Sequence, residues 1–151
     1  MNRIRACLIG LAAGFLSLPA LAQAGDDGNI NIAGQWTFTA NIGLGCDFGG
    51  TATLTNDGDG LYSAELTARQ SCPEMLEEDF LVRQECTARV LGEQVSLRCT
   101  IAEFINGYES PYYYPDNFTL TISSPNRMYG ALVSSGTPNP AEWRRAEGGI
   151  S

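Results

Sequence analysis

The sequence predicts an all-β protein, a largely antiparallel barrel of about eight strands held by one or two disulfides. Three observations predict it. Three segment pairs read as hairpins in which a single register sets apolar residues opposite one another and polar residues outward. The chain left after an N-terminal export signal has a length suited to one domain with a single core. Its four remaining cysteines, in an exported protein, most simply mean two disulfides.

The export signal is read from the first residues. Met1-Asn2-Arg3-Ile4-Arg5 is a short basic start, and Ala6 to Leu21 is almost wholly apolar. Ala22-Gln23-Ala24 supplies small residues at both positions a signal peptidase reads, ahead of the polar Gly25-Asp26-Asp27-Gly28. Residues 1–24 are expected to be a secretory signal peptide, too short and wrongly flanked for a membrane span. Residues 25–151 form a single domain, periplasmic or secreted, without membrane insertion. Cys7 lies far upstream of the cleavage point and departs with the signal.

The 127 residues that remain of the 151 keep all 17 acidic side chains but lose Arg3 and Arg5, so the net charge moves from −8 to −10. A surface this acidic repels phosphate backbones and anionic lipid. Among macromolecules it favours a basic partner, although solubility is the plainer use of the charge. The chain has no His, and all nine basic residues are Arg. That removes Ser-His and Cys-His nucleophiles, imidazole metal sites, Schiff-base lysines and the phosphate-loop lysine. The expectation is a non-catalytic protein with no cofactor and no metal.

Each element follows from its own pattern. Ala33 to Ile42 alternates Trp36, Phe38, Ala40 and Ile42 inward against Gln35, Thr37, Thr39 and Asn41. Gly50 to Ala68 is a hairpin about Asn56-Asp57-Gly58-Asp59-Gly60, setting Leu54 against Tyr62 and Ala52 against Ala64, with Thr51, Thr53, Thr55, Ser63 and Glu65 outward. Ser71 to Asp79 has room for one helical turn. A third hairpin turns at Gly92-Glu93, with Gly first as a type II′ turn wants. It places Val90 against Val95, Ala88 against Leu97 and Cys86 against Cys99. Glu103 to Asp116 reads as a long loop. Asn117 to Ser135 turns at Ser124-Pro125-Asn126-Arg127, with Pro at position i+1 of a type I turn. That register pairs Phe118 with Val133, Leu120 with Ala131 and Ile122 with Tyr129. Glu142 to Arg145 is a short closing strand.

The Gly92-Glu93 register carries a covalent inference. Cys86 and Cys99 fall in a non-hydrogen-bonded pair, where Cα atoms approach to about 4.5 Å, a distance a disulfide tolerates. Cys86–Cys99 leaves Cys46–Cys72. The competing Cys72–Cys86 bond would merely close the loop between them. The four positions lack the Cys-x-x-Cys pairs of a zinc site.

Several motifs have plain readings. Asn56-Asp57-Gly58-Asp59-Gly60 resembles part of a calcium loop, but Leu61 sits where another oxygen ligand belongs, and a tight turn demands the same residues. Glu74, Glu77, Glu78 and Asp79 read as a solvated acidic turn and not a catalytic carboxylate pair. Asn117-Phe118-Thr119 fits the N-glycosylation pattern but begins a strand whose Phe points inward. The most unusual feature is Tyr108 with Pro111-Tyr112-Tyr113-Tyr114-Pro115. Tyr gives large contact area at low entropic cost, and long loops in compact domains often carry function. The rings serve either as a plug for the core or as a binding surface. Because they are consecutive, Tyr113 must point away from Tyr112 and Tyr114 in an extended segment.

Gly34-Gln35-Trp36 on the first strand, with Arg144 or Arg145 on the last, resembles the calycin signature of lipocalin-type barrels. The resemblance implies that Trp36 packs under the late arginine and closes one end of the barrel, a cation over an indole face sealing the apolar interior. Trp143, directly before the arginines, lies outside that pattern. The avidin branch is not matched: the first strand reads Trp36-Thr37-Phe38-Thr39, without that family's polar ligand-binding residues. Some small bacterial inhibitors of secreted proteases and lysozymes are similar in plan. An eight-stranded barrel has room for packed side chains or for one small ligand. The expected function is therefore an exported binding protein holding a small apolar molecule in its barrel, an expectation that a filled interior would rule against, with Tyr62, Tyr108, Tyr112, Tyr113 and Tyr114 as binding residues. Its rival is an inhibitor or interaction module that engages a basic extracellular protein.

Overall fold

A computed structural model describes residues 30–147; the expected signal peptide lies outside the described residues. Eight strands close into a barrel in sequence order. They are β1 (Gly34–Ala40), β2 (Asp47–Gly58), β3 (Leu61–Ser71), β4 (Phe80–Leu91), β5 (Gln94–Asn106), β6 (Phe118–Ser124), β7 (Arg127–Leu132) and β8 (Asn139–Arg145). Every neighbouring pair is antiparallel, and β8 returns to β1 with Phe38 opposite Trp143. Closure leaves no sheet edge to seek a partner. The outward positions, such as Thr51, Thr53, Ser63, Glu65, Thr87 and Arg98, are polar and exposed.

Register departs from expectation where bulges intervene. In β2–β3 the turn is Asp59-Gly60, both with positive φ (54° and 71°), the geometry a two-residue hairpin adopts to follow strand twist. A bulge between Asn56 and Gly58 then pairs Leu54 with Ala64 and Ala52 with Leu66, two places from the expected partners. An even slip leaves the same side chains inward. In β6–β7 the slip is odd. A bulge between Ile122 and Ser124 pairs Ile122 with Met128 and Phe118 with Leu132. Met128 and Leu132 therefore face the core, while Tyr129 is half exposed.

The β4–β5 hairpin has the expected register through Cys86 opposite Cys99, with Gly92 at φ 59°. It also continues further. Two bulges carry β5 on to Asn106, so most of the expected loop's first part is strand and the loop proper is 107–117. The bulges break the period-two alternation, which is why Ile101, Glu103 and Phe104 do not read as strand. β8 likewise begins at Asn139, not Glu142.

The interior is filled by side chains. Trp143 stacks on Phe38 at 5.0 Å between ring centroids, and Phe118 meets it edge-on at 5.1 Å. Gly50 makes room for this layer, since a Cβ there would lie 2.7 Å from Phe38 Cζ. Leu66, Leu97, Leu120, Val90 and Val95 complete the barrel core. A smaller cluster of Phe80, Val82 and Tyr113, flanked by Leu76, Ile101 and Phe104, extends it at one end.

Candidate functional site

The two ends of the barrel differ. One end carries the tight hairpin turns and is sealed. Arg145 lies 4.5 Å over the Trp36 ring, and its guanidinium donates to the carbonyls of Ala33, Pro125 and Asn31. Trp36 Nε1 donates to Ile32 O at 2.9 Å, with Ile32 buried beneath. Arg144 takes no part: it is exposed and pairs with Glu142. Tyr62 belongs to this sealed end, buried, its hydroxyl accepting from Ile32 N. The structure therefore does not bring Tyr62 to the other tyrosines.

The opposite end carries four loops, 41–46, 72–79, 107–117 and 133–138. Cys46–Cys72 ties the first two together, while Cys86–Cys99 crosslinks β4 and β5 within the barrel. Two disulfides are the mark of a protein that meets an oxidising compartment. In the second loop Cys72 O accepts from Met75 N and Leu76 N, a single turn. Glu74, Glu77 and Glu78 are exposed, and Asp79 pairs with Arg69.

All four loops line a pocket of about 270 Å³. Its rim is apolar and exposed: Leu44, Met75, Tyr112 and Tyr114 are 75%, 60%, 86% and 51% accessible. Tyr113 is buried while Tyr112 and Tyr114 are exposed, but the run is not extended throughout: Pro111-Tyr112 form a turn that Tyr113 N closes on Ser110 O at 3.2 Å. Tyr113 turns inward against Phe80 and Phe104, with centroids 5.4 and 5.7 Å away. Tyr108 rests on Phe80 but stays largely exposed. The loop is thus plug and surface at once: one ring seals and the others face solvent.

Beneath the rim sits a polar group that sequence reading missed. Asp116 is 3% exposed. Its Oδ2 accepts from Gln84 Nε2 and from the Tyr113 hydroxyl at 2.9 Å. Its Oδ1 accepts from Ser134 Oγ at 3.1 Å, and its amide N–H donates to Gln84 Oε1 at 2.9 Å. Burial raises the Asp116 carboxyl to about 6, against the three hydrogen bonds that favour its charged form. Tyr113 is pushed far above the usual phenol range, first by burial and then by the Asp116 charge. The legible signal was Gln84, the one polar residue in the inward series Phe80, Val82, Gln84, Cys86, Ala88, Val90. A fully buried amide in such a series needs a polar partner, and Asp116 supplies it from the loop.

Asn117, the potential glycosylation site, is half-buried and accepts from Cys99 N through Oδ1. In the 56–60 segment Asn56 Oδ1 accepts from Gly58 N, and Asp57 Oδ1 accepts from Ser63 Oγ, so these oxygens brace the turn.

No protein-family model matches the chain, and no curated protein matches it. Among solved structures it is similar to a redesigned β-barrel, at TM-score 0.55 and 11% identity, covering 77% of this chain and 92% of that one. It is also similar to a redesigned β-barrel bound to DFHBI, at TM-score 0.56 and 12% identity, over 76% of this chain and 94% of that one. A third is a de novo designed fluorescence-activating β-barrel, at 0.50 and 16%, over 76% and 93%. At such identities the likeness shows the barrel fold.

Proposed function

We propose that this chain is an exported, non-catalytic binding protein of calycin-like plan that holds one small, largely apolar molecule at the loop-bearing end of its barrel. The observation that carries this reading is the asymmetry of the two ends. One is sealed by Arg145 over Trp36, while the other opens into a pocket whose rim leaves Leu44, Met75, Tyr112 and Tyr114 in solvent. Concave, mostly apolar sites with a few convergent polar groups are where small molecules bind.

The rings packed in the lumen rule against the expected carrier of an interior ligand, so the proposed site is the mouth. A barrel of similar fold is bound to DFHBI, which agrees with this reading without carrying it. The polar exterior supports a soluble molecule, because a membrane barrel presents an apolar band there. An export signal over residues 1–24 and periplasmic or secreted localisation accord with the two disulfides.

A second reading, a module that engages a basic secreted protein, is favoured by the same exposed rim beside Glu74, Glu77 and Glu78. Native mass spectrometry of the full chain purified from its host tests both. A small-molecule adduct that disappears in the Tyr112→Ser/Tyr114→Ser protein is expected. A bound protein, or a bare mass in every preparation, would overturn the small-molecule reading.

A further inference from the structure

Asp116 is a buried carboxylate that no guanidinium neutralises among the described residues. Its three side-chain partners, Gln84, Tyr113 and Ser134, are all neutral. Arg69, Arg83, Arg127 and Arg144 pair with other acids, Arg145 covers Trp36, and no arginine among the described residues lines the pocket. Buried charges are ordinarily paired, because desolvation without a counter-charge is costly.

The arrangement leaves a place for that counter-charge. A carboxylate offers about four lone-pair positions. Two on Oδ2 are taken by Gln84 and Tyr113, and one on Oδ1 by Ser134, so Oδ1 keeps a free position. Asp116 and Ser134 both line the pocket, and above them Tyr112 and Tyr114 have their rings largely in solvent. Aromatic faces attract cations, and a carboxylate below adds a charge-assisted hydrogen bond.

We propose that the mouth of the barrel binds an organic ammonium ion, its head group on Asp116 Oδ1 and its apolar body against Tyr112, Tyr114, Met75 and Leu44. This rests on the mouth being a small-molecule site and narrows the ligand class. A pocket of about 270 Å³ holds one small amine or one lysine side chain.

Binding of this kind competes with a proton. The groups that face Asp116 are the Tyr113 phenol from its own loop, Gln84 from β4 and Ser134 from the 133–138 loop, with Tyr112 and Tyr114 at the rim. The Tyr113 phenol is pushed up by burial and stays protonated in acid. Asp116 is therefore the group on the protein whose protonation displaces the amine as the pH falls below about 6.

The experiment is calorimetric titration of the full mature chain with four probes: phenethylamine, 2-phenylethanol, 3-phenylpropanoate and an end-blocked lysine amide. At pH 7.5 phenethylamine should bind about tenfold or more tighter than the alcohol, and the carboxylate should not bind. Its affinity should fall by about tenfold per pH unit below pH 6, where the amine itself stays charged. Asp116→Asn should reduce the amine to the level of the alcohol. Phenethylamine should bind more tightly than the lysine amide; the reverse order would assign the site to a protein side chain and overturn the small-molecule reading on which the proposal rests. Equal binding of amine and alcohol, or an affinity that ignores pH, would overturn the ammonium assignment while leaving the mouth as an apolar site. Failure of all four probes would overturn the mouth itself. If Asp116→Asn does not fold, the pH series on the unaltered protein still decides.

Discussion

Replacing Asp116 by Asn removes a buried negative charge while preserving the side-chain shape, and its effect on stability should depend on pH. The folded protein holds this carboxyl near 6, against an ordinary 3.8. Between these values the folded state binds a proton that the unfolded chain does not, so this group's contribution to stability falls as pH rises. The contribution is fully present below about 3.8 and lost as pH passes through about 6.

Each tenfold change in proton affinity is worth about 1.4 kcal/mol, so the loss amounts to roughly 3 kcal/mol in all. The assay is urea unfolding of both proteins between pH 4 and pH 8. The difference in stability, variant minus unaltered protein, should rise by about 2.5 kcal/mol across that range, the rest lying below pH 4, and then level off. Taking the difference cancels groups common to both chains, such as Asp79, whose carboxyl is held low by hydrogen bonds from Ser71 and Arg69. A difference that stays constant from pH 4 to pH 8 would refute the claim that Asp116 is buried with neutral partners only.

Other outcomes follow from the same geometry. Trp36→Ala should cost about 3–5 kcal/mol, as large aromatic truncations in cores do; a loss under about 1 kcal/mol would mean that Arg145 and Trp36 do not seal the barrel. A non-reducing peptide map should link the fragments carrying Cys86 and Cys99, and Cys99→Ser should destabilise by about 3 kcal/mol because the bond closes a short loop. Replacing the outward Tyr112 and Tyr114 by Ser should change stability by no more than about 0.5 kcal/mol in denaturant melts. Tyr113→Phe should instead cost about 1.5–3 kcal/mol at pH 7.5, and less at pH 4, because it removes a donor from a charged acceptor.

Much of the barrel was legible because strand chemistry is local. Trp36, Phe38 and Ala40 alternate with threonines, and Val90, Ala88 and Cys86 face Val95, Leu97 and Cys99 across a glycine-led turn. These patterns depend only on period two and on turn residues, so strand identity, strand count and the Cys86–Cys99 bond are written in residues close together along the chain. Bulges are different. One extra residue near Ser123 reverses which of Met128 and Tyr129 enters the core, and no local preference announces it.

The site lay further from reach. Tyr113 could be told from its neighbours by alternation, but its direction was set by Phe80 and Phe104, which bulged pairing of β4 and β5 brings under the loop. Asp116 meets Gln84 and Ser134 across separations of 32 and 18 residues. Composition and strand pattern were properties of neighbouring residues, and the sequence by itself determined them. The buried carboxylate and the open mouth above it exist only once the barrel has closed, because closure alone brings four distant loops to one end and withdraws their shared acid from water.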